Sequence, residues 1–319
     1  MAVYTQVDKA ALTDLLSRYD VGEAVSLKGI TEGIENTNYL LETSRSKYIL
    51  TLYEKRTNPE DLPYFLGIMD HLARSGIPAP LPICDRSDNA LQKVAGRPAC
   101  MISFLQGRSL SRPEEMHCAA LGELLGRMHM ALNHFRPKRA NTVSLEGWQK
   151  LYAATQDRAD NVIPGLRSIL QEELAYLTDN WPTNLPTGTI HADLFTDNVL
   201  FTGDKITGVI DFYFACTDML VYDLAVCLND WCFNEQHEFE ANKVKRLIEM
   251  YDINRQLTPA EQDALPIICR GAAMRFLLTR LYDWLNPVEG AVVQRKDPAD
   301  YLERLKFHQQ VRDAASYVV

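Results

Sequence analysis

The sequence predicts a two-lobed α+β fold, with an antiparallel strand-rich N-terminal lobe and a mainly helical C-terminal lobe. Three observations carry the prediction. Short runs rich in Val, Ile, Leu, Thr and Tyr fill much of residues 24–104. Apolar residues at helical spacing dominate most of the chain beyond Pro113. The length of 319 residues also exceeds the roughly 100 to 200 of a single domain.

Taken in order, Ala11, Leu12, Leu15 and Leu16 follow an Asp8 cap and predict a short amphipathic helix. Ala24–Ile30, Asn38–Thr43 and Tyr48–Tyr53 read as three antiparallel strands. Helical spacing returns at Leu62, Phe65, Leu66, Met69 and Leu72 and stops at Gly76, with Pro78, Pro80 and Pro82 beyond. Two more strands fall near Ala90–Val94 and Pro98–Phe104. The polar stretch Gln106–Pro113 then divides the chain into lobes of residues 1–105 and 106–319. Glu114–Phe135, Leu145–Ala159 and Leu166–Leu177 predict helices, interrupted by brief strands at Thr187–Ile190, Val199–Thr202 and Ile206–Phe212. Gly203-Asp204-Lys205 joins the last two as a hairpin, and helices resume from Met219.

Composition removes several functions. With 33 Lys and Arg against 42 Asp and Glu, the net charge of −9 opposes binding to nucleic acid and anionic membrane surfaces. The most apolar stretch, 208–228, is interrupted by Asp211, Asp218 and Asp223, so no membrane span is expected. The N-terminus lacks the basic and apolar runs of a signal peptide, and seven cysteines without a Cys-x-x-Cys support neither a disulfide framework nor a zinc site. These features predict a cytoplasmic protein.

The chemistry concentrates in His191-Ala192-Asp193-Leu194-Phe195-Thr196-Asp197-Asn198, followed across the hairpin by Val209-Ile210-Asp211-Phe212. Phosphoryl transfer from ATP requires a carboxylate near the acceptor hydroxyl and oxygen ligands for Mg²⁺. Asp193 is the candidate catalytic residue, and Asn198 and Asp211 are the candidate metal ligands. This H-x-D-x(4)-N segment with its following I-D-F resembles the catalytic and metal loops of the protein-kinase-like superfamily, in its aminoglycoside and choline kinase branch. The resemblance implies a nucleotide site between two lobes, with the 28–39 hairpin over the phosphates. Gly33, Asn36 and Thr37 are its candidate contacts. It further implies a hinge at Met101–Gly107, where the Ser103 carbonyl and the Leu105 amide meet the adenine edge; an apolar strand entering a loop is the alternative reading.

One position departs from the superfamily pattern. Thr51 stands where a phosphate-binding Lys or Arg is usual, and Phe65 stands near the place of its partner Glu. Lys55 shares the strand face of Thr51 and is either the substitute cation or the solvated end of the strand. The Gly33–Tyr39, Leu50–Arg56, His191–Asn198 and Asp211–Ala215 segments together resemble the homoserine kinase subgroup along nearly the whole chain. That resemblance implies ATP-dependent phosphorylation of the L-homoserine side-chain hydroxyl in threonine biosynthesis.

For such a substrate, Arg275 and Arg280, set in an apolar stretch, and Asp230 are candidate contacts; internal salt bridges are the alternative for each. Two competing functions are an aminoglycoside or choline kinase, whose cationic substrates suit the acidic chain, and a nucleotide-binding regulator without catalysis. The regulator would explain the missing Lys and Glu, but it is opposed by the intact Asp193, Asn198 and Asp211.

Overall fold

The computed structural model describes residues 4–30, 36–54, 57–287 and 295–317, which divide into two compact units. The first comprises the described part of Met1–Gly107 together with Thr207–Tyr213. The second comprises Arg108–Ile206 and the described parts of Phe214–Val288 and Arg295–Val319.

In the first unit, α1 (Lys9–Leu16) begins where the Asp8 carboxylate accepts the Ala11 N–H at 2.8 Å. β1 (Ala24–Ile30), β2 (Thr37–Thr43) and β3 (Lys47–Leu52) precede α2 (Leu62–Arg74), and β4 (Leu91–Val94) and β5 (Arg97–Ser103) follow it. The sheet is antiparallel throughout, in the order β1-β2-β3-β5-β4. Alternation on β2 buries Thr37, Tyr39, Leu41 and Thr43, the period of two expected of a strand with one face in the core. Tyr39 and Leu41 join Leu50, Leu52, Ala99 and Met101 beneath Leu12 and Leu15 of α1. Removing these apolar side chains from water contributes roughly 1.5 to 3 kcal/mol for each large one.

The second unit contains α3 (Glu115–Leu132), α4 (Leu145–Ala159) and α5 (Leu166–Asn180), then β6 (Thr187–Ile190) and β7 (Val199–Thr202). β8 (Lys205–Val209) follows, and within it the chain passes from the second unit to the first after Ile206. After β9 (Cys216–Met219) come α6 (Leu220–Trp231), α7 (Ala241–Asn254), α8 (Pro259–Leu285) and α9 (Ala299–Gln310). α8 starts on a reciprocal capping box between Thr258 and Glu261, and it packs on α4, α6 and α9. α3 lies so close to α7 that a Cβ at Gly122 would strike the Leu247 carbonyl.

Two elements differ from the sequence expectation. β8 stops at Val209 instead of running to Phe212, because Asp211 takes a left-handed φ of +65° and Phe212–Phe214 winds into a 3₁₀ turn. β9 falls in a stretch given no strand expectation, just before the helices that resume at Met219, and pairs antiparallel with β6, Thr187 opposite Met219 and Ile190 opposite Cys216. Thr207–Tyr213, which the sequence assigns to the C-terminal lobe, clusters with the N-terminal unit: the Val209 N–H donates to the Pro78 carbonyl at 2.8 Å, and the Thr207 hydroxyl to that of Gln106 at 2.5 Å.

Candidate active site

In the second unit, β6 delivers the chain into the loop at His191, and a 3₁₀ turn over Thr196–Asn198 leads out into β7. The loop is held by Asp223 of α6, which has no solvent exposure. Its carboxylate accepts the His191 N–H at 2.7 Å and the Ala192 N–H at 2.6 Å, and it lies 3.2 Å from Nε2 of His129. Burial raises the Asp223 pKa, but the His129 hydrogen bond, the nearby His129 and His191 and the loop N–H outweigh it, holding the carboxyl below its usual range. Ala192 has φ +63°, a conformation costly for a side chain bearing Cβ, so the Asp223 clamp sits where the backbone most needs holding.

The clamp aims Asp193 and Asn198. The Asn198 amide donates to the Asp193 carbonyl at 2.7 Å and lies 3.3 Å from its Oδ2, so its N–H₂ faces the loop and its carbonyl oxygen accepts no hydrogen bond among the described residues. Asp230 caps the 3₁₀ turn by accepting the Thr196 N–H at 2.8 Å. Buried Arg275 donates to the Ala192 carbonyl and brings Nη2 to 3.6 Å from Asp193 Oδ1. Its guanidinium also stacks over Phe276, 4.4 Å from the ring centroid. Arg280 instead pairs with Asp300 at 2.9 Å and lies 4.4 Å from the Tyr301 ring centroid.

In the first unit, Asp211 follows β8 in its left-handed conformation, two residues before Tyr213. The Tyr213 hydroxyl is 3.3 Å from that of Tyr53, itself 3.0 Å from Cys100 Sγ, and Tyr213 also hydrogen-bonds Thr51. Burial, with Cys100 and Asp211 nearby, pushes the Tyr213 phenol far above its usual value, so it stays neutral. The Thr51 hydroxyl donates to Asn38 Oδ1 at 2.7 Å, and Phe65 meets the Tyr213 ring edge-on at 5.7 Å. A neutral hydroxyl and aromatic cluster therefore surrounds Thr51, where the resemblance implies a Lys and its acidic partner.

The remaining nucleotide candidates are scattered. Gly33 and Lys55 lie outside the described residues. The Thr37 hydroxyl accepts the Tyr4 and Thr5 N–H groups and donates to Glu54 at 2.8 Å, and Asn36 Oδ1 accepts the Glu54 N–H at 3.2 Å. Both side chains thus brace the strand ends. At the expected hinge, the Ser103 hydroxyl accepts the Leu81 N–H at 2.9 Å, while the Leu105 N–H donates to no group among the described residues.

Residues 26–257 match the phosphotransferase enzyme family. A homoserine kinase of Rhodopseudomonas palustris is 54% identical over 320 residues, covering 100% of this chain and 98% of its own. A homoserine kinase of Allorhizobium ampelinum is 51% identical over 317 residues, covering 99% of each chain. The chain belongs to the phosphotransferase enzyme family. Among solved structures, an amicoumacin kinase in complex with AMP-PNP, Ca²⁺ and Ami is similar with a TM-score of 0.71 at 15% identity, over 96% of this chain and 95% of that one. At that identity the likeness concerns the protein-kinase-like fold alone.

Two residues of this phosphotransferase escape sequence reasoning as parts of the site. Asp223 reads from sequence as a charge interrupting an apolar run; its true partners are backbone N–H groups 31 and 32 residues away and His129. The available signal was the cost itself, because a carboxylate inside Leu220–Trp231 must be satisfied by something. Tyr213 enters the site through its bond to Thr51, which has no sequence signature.

Proposed function

We propose that this phosphotransferase moves the γ-phosphoryl group of ATP to the side-chain hydroxyl of L-homoserine, giving O-phospho-L-homoserine and ADP in threonine biosynthesis. The observation that carries the reading is the 54% identity to a homoserine kinase across the full length of both chains. In the proposed mechanism Asp193 orients the substrate hydroxyl and accepts its proton as the oxygen attacks the γ-phosphorus, and ADP departs without a phosphoenzyme. The loop fits this role, since Asp223 fixes the backbone on which Asp193 stands.

Asn198 and Asp211 are the proposed ligands of Mg²⁺. The fit rests on donor chemistry: the Asn198 oxygen has no hydrogen bond among the described residues, Asp211 offers a carboxylate, and a hard cation takes one or two such ligands plus substrate phosphates. When bound, Mg²⁺ neutralises charge on the β- and γ-phosphates. The protein's own contributions are holding the loop, aiming Asp193 and accepting the proton. No helix among the described residues is long and apolar enough to cross a membrane. The cytoplasm is the proposed compartment: the cysteines are free thiols, and burial pushes Cys100, Cys216 and Cys269 up to about 12, which keeps them protonated.

Measuring ADP release with L-homoserine, choline and kanamycin tests the substrate. The reading predicts turnover with homoserine at a kcat/KM at least ~10² above the others, since a site built for a carboxylate and an ammonium rejects analogues lacking one. Strong phosphorylation of kanamycin or choline with silence toward homoserine would overturn it.

A further inference from the structure

In the second unit, Arg275, Arg280, Arg270 and Arg255 each face a carboxylate: Asp193, Asp300, Glu173 and Glu261. Arg304 does not. On α9 its Nε and Nη1 are shut off from solvent, and among the described residues they make no hydrogen bond and no carboxylate pairs with them. Its guanidinium rests over two rings, 4.4 Å from the centroid of Tyr301 and 5.7 Å from that of Phe233. A half-buried guanidinium without an anion is costly and calls for a partner.

Three residues earlier on the same face, fully buried Tyr301 likewise leaves its hydroxyl without a partner among the described residues. Its ring lies close to that of Phe195, within the catalytic loop, with centroids 6.4 Å apart, and touches Phe276 at 5.2 Å. Burial raises the Tyr301 phenol strongly; Arg304 and Arg280 oppose the rise, while Asp230 and Asp193 add to it. The unsatisfied cation and hydroxyl therefore stand in the electrostatic neighbourhood of the proposed base. Asp230 spends one oxygen on the Thr196 N–H, and its Oδ1 accepts no hydrogen bond among the described residues.

We infer that Arg304 and the Tyr301 hydroxyl bind the α-carboxylate of the amino-acid substrate, with Asp230 facing its ammonium group. The inference rests on the homoserine reading and makes it residue-specific. A guanidinium held flat on an aromatic ring has little rotamer freedom left to lose, so Nη2, the terminal nitrogen not shut off from solvent, meets an entering carboxylate already oriented. An acidic side chain acting on the same Tyr301 suits a zwitterion, whose opposite charges lie on one carbon. Arg275 and Arg280, already engaged with Asp193 and Asp300, anchor the loop and α9 around this cation.

The test compares kcat/KM for L-homoserine and for 3-aminopropan-1-ol, which is homoserine without its carboxylate, in wild type, Arg304→Gln, Arg304→Lys and Tyr301→Phe. Arg304→Gln should lower kcat/KM for homoserine by on the order of 10², chiefly through KM, and the preference for homoserine over aminopropanol should shrink by the same factor. Arg304→Lys should recover part of the loss, and Tyr301→Phe should raise the homoserine KM several-fold. Should Arg304→Gln fail to fold, the preference ratios of Arg304→Lys and Tyr301→Phe decide. Equal losses for the two substrates would reduce Arg304 to a brace of α9, and an unchanged preference in a homoserine-active enzyme would overturn the inference alone. A wild type that neither binds nor phosphorylates homoserine would overturn the homoserine reading and the inference with it.

Discussion

Replacing Asp223 with Asn tests whether the catalytic loop is held from α6. The carboxylate takes two loop N–H groups at 2.7 and 2.6 Å and lies 3.2 Å from a ring nitrogen of His129, all without solvent. An amide of the same shape offers one oxygen and turns an N–H₂ toward the other donors, so at least one buried donor loses its acceptor at about 1 to 3 kcal/mol. Loss of the carboxylate's negative charge beside the His129 ring nitrogen, 3.2 Å away, adds to this. The thermal midpoint should therefore fall by about 2 to 8 °C. Because the loop carries Asp193, kcat should fall by at least ~10² while the KM for ATP changes little. The pH dependence has a definite sign. The native pKa of Asp223 is depressed, so its stabilisation is present above the unfolded value of about 3.9 and is lost as pH falls through the lower native value. Wild type should accordingly lose stability below about pH 4 more steeply than the Asn variant. Scanning calorimetry between pH 3 and 7, with steady-state kinetics at neutral pH, checks all three; a variant with wild-type midpoint and kcat would refute the clamp.

Asp193→Ala should reduce kcat by about 10² to 10⁴ with nucleotide binding retained, whereas Asp211→Ala should weaken Mg-ATP binding along with turnover. Calorimetric titration separates the two, and equal Mg-ATP affinity in wild type and Asp211→Ala would remove Asp211 as a metal ligand. Thr51→Lys should destabilise the protein without tightening ATP binding, because the buried Thr51 sits among the Tyr213 hydroxyl, Asn38 and the Phe65 ring, where a charge loses its hydration; an improved KM for ATP would contradict this. Gly122→Ala should cost about 1 to 3 kcal/mol by forcing α3 off the Leu247 carbonyl, measured as a lower urea midpoint with an unchanged KM for either substrate.

Most of the sheet was legible because the alternation on β2 and the turn residues between strands encode register locally, as the burial of Tyr39 and Leu41 illustrates. β9 was not, because four residues containing Thr217 and Asp218 carry too little apolar pattern, and their pairing partner lies some thirty residues upstream. The end of β8 was misjudged because nothing in Ile210-Asp211-Phe212 announces a left-handed φ at a non-glycine residue. At the site, Asp193 and Asn198 share one short loop, so their spacing survives as a motif. Arg304 stands in a helix of polar appearance that marks out no site; only the packing of Tyr301 and Phe233 leaves its guanidinium half-buried with no carboxylate partner among the described residues. Sequence patterns register what neighbours along the chain do together. The Asp223 clamp and the Arg304 cation depend on groups brought in from distant segments.

The most direct measurement is ³¹P NMR and mass spectrometry of the products formed from Mg-ATP and L-homoserine by wild type and Asp193→Ala. The account predicts one phosphate monoester on the homoserine side-chain oxygen, equimolar with ADP, and its near disappearance in the Asp193 variant. Inorganic phosphate in place of the ester, or an ester yield unaffected by Asp193→Ala, would contradict it.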